Sequence, residues 1–132
     1  TVMPGSLLYD YGDSLRFGAS TGAEDERDLS KISFDLTYFE AYTDAFLAEL
    51  GSTITPREVE LLPFSAKLLT LECGMRFLTD HLNGDTYFRI HRENHNLDRC
   101  RTQFKLIADM EGKMDQMAAI VARCCKAYGI GK

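Results

Sequence analysis

The sequence predicts an all-α fold, and two observations carry this prediction. Apolar residues recur at spacings of three and four through most of the chain from Asp35 onward, as they do on one face of a helix. Residues that start and stop helices stand at the ends of these periodic stretches. A short extended piece at residues 86–90 is the one exception. At 132 residues, the chain suits a single domain.

The first and last predicted helices are defined by their apolar faces. The first runs from Asp35 to Gly51, where the glycine ends it. The last begins at Asn96 as N-cap, with Asp98 in the first turn where a carboxylate suits the helix dipole, and continues to about Tyr128. Cys100 lies on the apolar face of this last helix.

The middle helix has the clearest start signal. Thr55 is the expected N-cap, Pro56 takes the first helical position and Glu58 completes a capping box. The helix extends to about residue 82, with a break expected near Pro63, and an Asn83-Gly84 pair ends it.

Residues 1–34 are expected to be irregular. Gly5, Gly12 and Gly18 punctuate the stretch, and GASTGAEDERD is typical of a polar loop. Ordered loops of this length in compact domains are usually functional or mobile.

Composition excludes several classes of protein. The net charge is −5, with no basic stripe, which argues against a nucleic-acid partner. No apolar run approaches the ~20 residues that span a bilayer, and nothing resembles a signal peptide. The four cysteines lack the spacing of a zinc site or a disulfide framework, so we expect no metal site and a reducing, cytoplasmic compartment.

Arg76 is the strongest candidate for binding a ligand. Glu72 lies four residues before it and Asp80 four residues after, which is compatible with a surface ion-pair ladder worth ~0.3–0.5 kcal/mol per pair. The alternative is a guanidinium held by carboxylates and aimed into a pocket. Gly74 suggests a close approach of backbone or ligand, and Tyr87 could offer a ring and a hydroxyl nearby.

Weaker candidates have simpler explanations. The segment HRENH places His91 and His95 four apart, but solvent-facing imidazoles in a polar loop are the simpler interpretation. Phe17 is compatible with a loop anchor, and Asp10 and Asp13 with turn or cap residues. A basic cluster could bind an anion, although a solvated helix start is the simpler interpretation; it comprises Arg89, Arg92, Arg99, Arg101 and Lys105.

Three stretches together resemble a known family. TVMPGSLLYDYGDSLRFG, followed by GASTGAEDE, resembles what comes after the metal-binding Asp in the aminoglycoside phosphotransferase/choline kinase superfamily. The closest resemblance is to its sugar-kinase branch, the N-acetylhexosamine 1-kinase-like enzymes. ECGMRFLTDHLNGDTYF and HNLDRCRTQFKL are similar to stretches of that branch and stand in the same order. The resemblance covers nearly the whole chain but only the final part of such an enzyme.

The resemblance implies that residues 1–132 form the helical C-terminal lobe of a protein-kinase-like fold, with 1–34 as the segment after the metal site. In the family, an acid that holds Mg²⁺ immediately precedes a Thr-Val-x-Pro-Gly turn. The chain is therefore expected to be a fragment, with that acid, the catalytic Asp and the nucleotide-binding lobe upstream. No catalytic residue and no metal ligand are expected within it.

The resemblance also assigns roles to individual residues. Phe17 matches an aromatic residue that packs against the sugar, and Arg76 and Tyr87 match residues that line the same pocket. Asp10 matches an acid that ties the post-metal loop to the catalytic loop. A departure from the pattern is that Met114 or Gln116 stands where the branch has an aromatic residue in its final helix, which bears on recognition of an N-acetyl group.

The expected function of the intact protein is transfer of the γ-phosphate of ATP, with Mg²⁺, to a sugar hydroxyl, the anomeric one of an N-acetylhexosamine. The 132 residues alone are expected to be inactive and to bind neither cofactor. Two alternatives are a different small acceptor, such as choline, an aminoglycoside, homoserine or methylthioribose, and a stand-alone helical module that binds a partner helix through the 96–128 helix. Arg76 argues against a cationic acceptor. Removal of a neighbouring lobe would expose a surface, so self-association is also expected.

Overall fold

The structure, a computed structural model, describes residues 4–130, with side chains described from Leu7 onward. This part of the chain contains four α-helices and no strand longer than a single bridge between Ser20 and Phe34, so the all-α prediction is confirmed. The helices are α1 (Pro4–Gly18), α2 (Leu36–Leu50), α3 (Pro56–Leu82) and α4 (His95–Tyr128), and a 3-10 turn spans Leu29–Lys31.

The largest difference from the sequence prediction is α1, because residues 4–18 are helical and not irregular. Tyr11 and Leu15, four apart, are fully buried against the other helices. Gly12 lies so close to α3 that a Cβ there would stand 2.6 Å from the Ser65 carbonyl oxygen. The glycine therefore allows two helices to pack closely. In the sequence alone, a glycine with this role looks the same as one that marks a loop.

The starts of α2 and α3 agree with the predictions. The Asp35 carboxylate accepts hydrogen bonds from the N–H groups of Thr37 and Tyr38, at 2.9 and 3.3 Å. The capping box at α3 is complete, since Thr55 Oγ1 accepts from the Glu58 N–H at 3.2 Å and Glu58 Oε1 accepts from the Thr55 N–H at 2.9 Å. Each cap satisfies N–H groups that a helix start otherwise leaves unpaired.

The break expected at Pro63 does not occur, and α3 continues through it to Leu82. A proline inside a helix removes one backbone hydrogen bond. Pro63 is buried, as are Leu62 and Ala66 beside it, so packing against the rest of the domain offsets that loss.

The helix α4 begins one residue earlier than its predicted cap. His95 is its first residue, and Asn94 precedes it in the left-handed conformation with φ of 60°. Asn96, the predicted N-cap, is instead fully buried and uses its amide in a tertiary network. Most apolar positions of α4 are also buried, including Met110, Met117 and Val121, so the core occupies most of the face that the partner-helix alternative requires.

Candidate functional site

The carboxylate of Asp80 organises the loop between α3 and α4. Its Oδ1 accepts hydrogen bonds from the N–H groups of Thr86 and Tyr87 at 3.0 and 2.7 Å, and its Oδ2 accepts from the Phe88 N–H at 3.0 Å. Burial alone would raise the pKa of Asp80, but the hydrogen bonds from Phe88, Tyr87, Thr86 and Asn96 outweigh it and hold the pKa below its usual range. The predicted ion pair between Asp80 and Arg76 is therefore wrong.

A second layer of polar side chains supports Asp80. Asn96 Nδ2 donates to Asp80 Oδ2 at 2.7 Å and to Asp85 Oδ1 at 2.9 Å. Arg99 donates to the Asn96 side-chain oxygen at 2.9 Å and to the Arg89 carbonyl at 3.1 Å. The loop is thus fixed at both ends, and it presents its aromatic and basic residues at set positions.

These elements border a cleft of about 400 Å³ between α1, α3 and the start of α4. Its walls carry four arginines, three carboxylates and the rings of three aromatic residues. The charged lining residues are Asp13, Arg16, Glu24, Glu72, Arg76, Arg89 and Arg99, and the aromatic ones are Tyr9, Phe77 and Phe88. Such a lining presents many hydrogen-bond donors and acceptors beside flat apolar surfaces.

Arg16 is a central residue of the cleft that sequence reasoning missed. Its guanidinium, which is largely buried, bonds to Glu24 at 2.7 Å, to Asp13 at 3.2 Å and to Gln103 at 3.4 Å. Burial alone would lower the pKa of Arg16, but the bonds to both carboxylates raise it. The Asp13–Arg16 spacing of three is the signal that could have found this pair, had residues 4–18 been interpreted as a helix.

Arg76 bonds to Glu72 at 2.6 Å, and both side chains are exposed to a large extent. This ion pair is half of the ladder expected from the sequence. Arg76 lines the 400 Å³ cleft and also a neighbouring hollow of about 540 Å³, whose wall includes Tyr87. The structure therefore brings Arg76 and Tyr87, eleven positions apart, to one cavity. Gly74 is covered by Phe104 of α4, since an added Cβ would lie 2.8 Å from that ring.

Phe17 and Asp10 lie away from this pair. Phe17 is 71% exposed and lines a smaller hollow of about 140 Å³, which shares Arg16 and Glu24 with the main cleft. Asp10 is exposed on α1, and its assigned loop-anchoring role stays a prediction.

His95 differs from the expectation of solvent-facing imidazoles, because its side chain is 3% exposed. Its Nε2 lies 2.8 Å from Asp25 Oδ2, and its Nδ1 accepts the His91 N–H at 3.0 Å. Arg92 bonds to both Asp25 and Asp98, at 3.3 and 2.9 Å. The hydrogen bond from His95 and the charge of Arg92 lower the pKa of Asp25. These contacts attach the 19–28 segment to α4 and thereby form one end of the cleft.

The predicted basic cluster does not form a single anion site. Arg92 is engaged by carboxylates, Lys105 donates to the Ile32 carbonyl at 3.1 Å, and Arg101 is exposed. Only Arg89 and Arg99 of this group face the cleft.

Other site chemistries have little support within residues 4–130. No group of three or more metal-ligating side chains occurs there. All four cysteines are free thiols, and burial raises the pKa of each, including Cys73 in the cleft wall. None of the described helices combines the length and apolar character needed to cross a membrane.

No model of a known protein family matches the chain. The feature of the structure that bears on function is therefore the geometry of the cleft.

Proposed function

We propose that this chain binds the acceptor of an ATP-dependent sugar phosphotransferase, with the sugar held in the cleft beside Arg76. The observation that carries the proposal is that Arg76 and Tyr87 line one cavity, which shares Glu72, Arg76 and Phe88 with the cleft containing Arg16 and Arg99. Resemblance to the N-acetylhexosamine kinase branch supports the same pair of residues.

The cleft has the chemistry that a sugar requires. Each sugar hydroxyl both donates and accepts hydrogen bonds, so a binding site needs fixed donors and fixed acceptors together. Arginines offer planar forks of donors, and Glu72 and Glu24 offer acceptors that their ion pairs hold in place. The rings of Tyr87 and Phe88, 4.9 Å apart and at 86° to each other, offer apolar surface to the C–H face of a pyranose.

In this proposal the described residues position the acceptor and do not transfer the phosphoryl group. Transfer requires a base at the acceptor hydroxyl and Mg²⁺ at the ATP phosphates. The resemblance implies that those groups, and the nucleotide-binding lobe, belong to another part of the intact enzyme. Orientation of the sugar hydroxyl toward an in-line γ-phosphate is the contribution expected of the cleft.

The test is ADP release by the full reading frame with ATP, Mg²⁺ and a panel of sugars, choline, homoserine and aminoglycosides. We expect turnover with N-acetylhexosamines. Arg76→Ala should raise the KM for the sugar by ~10–100-fold, because it removes charge-assisted hydrogen bonds. Arg57→Ala is the matched control, since Arg57 is also exposed on α3 and paired with a glutamate, Glu60, but lies outside the cleft. Turnover of no sugar, or an equal effect of both substitutions, would refute the proposal.

A further inference from the structure

The exposed side of α3 carries an unusually regular apolar stripe, which we call the α3 seam. Its residues are spaced alternately three and four positions apart over three heptads, and none of the stripe residues is charged. The seam consists of Leu61, Phe64, Leu68, Leu71, Met75, Leu78 and Leu82. Five of the seven are exposed, at 38–74%, and the other two are half-buried. Leu8 and Tyr9 of α1 border the first part of the seam, and Tyr87 and Phe88 border Met75, but the five exposed side chains keep 38–74% of their surface.

The opposite side of α3 already forms the domain core. Leu62, Ala66 and Phe77 on that side are buried. A helix that is apolar on two opposite sides is typical of one with neighbours on both. The spacing of the seam residues is also the one that allows the side chains of two packed helices to interlock as knobs into holes. Single exposed apolar residues need no explanation, but a contiguous stripe of this length does.

From this geometry we infer that the α3 seam is the interface of a parallel, two-fold homodimer. A regular three-four stripe is complementary to a copy of itself, which is what a two-fold interface demands. The exposed fractions correspond to roughly 500 Å² of apolar surface per copy, which with the flanking polar atoms approaches the ~800 Å² per partner of a stable interface.

The residues on either side of the seam favour the parallel arrangement. α1 flanks one edge, where Gly12 meets Ser65, and α4 flanks the other, where Phe104 covers Gly74. A parallel two-fold places α1 of one copy against α4 of the other. The exposed rings of Tyr9 on α1 and Phe104 on α4 then lie on the same side of the interface.

Charge is complementary in the same arrangement. Lys67 lies on the α4 edge, where it bonds to Glu111 at 3.1 Å, and Glu72 lies on the α1 edge near Tyr9. In a parallel dimer Lys67 therefore faces Glu72 of the second copy, and the symmetry repeats this pair. Lys67 and Glu72 already pair with Glu111 and Arg76 within each copy, so the contact between copies would extend these pairs. An antiparallel arrangement would place Lys67 near Gly74, which offers no carboxylate across the interface.

Sedimentation equilibrium from ~1 μM to ~1 mM tests the inference, because this range spans the affinities of interfaces of this size. Wild type should convert from monomer to dimer. Leu68→Lys, at a residue 45% exposed, should weaken dimerisation by at least ~100-fold, since two buried lysines result. Tyr128→Lys, at a residue 44% exposed but on the end of α4, should leave it unchanged. Circular dichroism checks that each variant is folded.

Orientation has its own test. Phe64→Cys should cross-link to itself under mild oxidation, because Phe64 lies away from the centre of the seam and faces its own copy only in a parallel, in-register dimer. A wild type that stays monomeric throughout would overturn the inference and leave the seam to a different partner protein. A dimer that Leu68→Lys does not weaken, or that Phe64→Cys does not cross-link, would overturn the proposed interface. Glu72 and Met75 also line the hollow beside Arg76, but sedimentation and cross-linking report association alone, so their outcomes are distinct from those of the turnover assay that tests sugar binding.

Discussion

Replacing Gly12 by alanine tests the most unexpected element of the fold, the packing of α1 against α3. In an isolated helix this change is favourable by ~0.8–1.0 kcal/mol, because alanine has the higher helix propensity. In the folded protein the added Cβ would lie 2.6 Å from the Ser65 carbonyl oxygen, 3.0 Å from its carbon and 3.1 Å from Leu69 Cγ. Two of these three atoms belong to backbone, so α1 and α3 must move apart.

The steric cost of Gly12→Ala can be measured against a matched control, Gly112→Ala. Overpacking of this kind costs ~1–3 kcal/mol. Gly112, in the exposed middle of α4, has no atom within 4 Å of its would-be Cβ. Gly112→Ala therefore gains helix propensity alone and should raise the free energy of unfolding by ~0.5–1 kcal/mol. Because both variants gain the same propensity, the difference between them measures the steric cost, ~1–3 kcal/mol in favour of Gly112→Ala.

Urea unfolding followed by circular dichroism provides the measurement. We expect Gly12→Ala to have a lower midpoint than wild type and Gly112→Ala a higher one, with equal slopes. If residues 4–18 were the irregular segment that the sequence suggests, Gly12→Ala would be neutral or stabilising through the unfolded state. Equal midpoints for the two variants would therefore refute the packing of α1 on α3.

Two further substitutions test buried polar groups. Asp80→Asn should destabilise the fold at neutral pH. The lowered pKa of Asp80 gives stability that is complete above pH ~4 and lost as pH falls through the folded pKa, so the variant should also lose less stability than wild type between pH ~4 and ~2. If the free energy of unfolding fell equally with pH in wild type and in the variant, the carboxylate would not be held by the loop amides. Tyr11→Phe should lower the free energy of unfolding by ~1–2 kcal/mol in urea, because the buried Thr43 hydroxyl loses its 2.6 Å partner. Adding Thr43→Val should recover part of this loss, and no recovery would count against the pairing.

The parts of the fold that local chemistry specifies could be predicted from the sequence. Asp35 and Thr55 cap helices through their own nearby N–H groups, and Gly51 follows a helix that ends there. Such bonds join residues two or three apart, so the sequence window contains both partners. The end of α3 at Asn83 is specified in the same way.

Prediction was less successful where a residue has two available partners. Helical spacing places Glu72 and Asp80 equally close to Arg76, yet only Glu72 bonds to it. Asp80 turns inward because the N–H groups of the following loop and the amide of Asn96 converge on it. Spacing along one helix contains no information about those groups, since their position depends on how α4 returns against α3.

The sequence by itself determined the all-α class, the limits of α2, the N-cap and the C-terminal end of α3, and the candidacy of Arg76 and Tyr87. Only the tertiary structure decided that residues 4–18 are a helix, because the burial of Tyr11 and the close fit of Gly12 depend on a surface supplied by α2 and α3. It likewise decided that His95 is buried against Asp25, 70 positions away. The physical reason is the same in each case: local hydrogen bonds are fixed by neighbours in sequence, whereas burial is fixed by segments that meet only after the chain has folded.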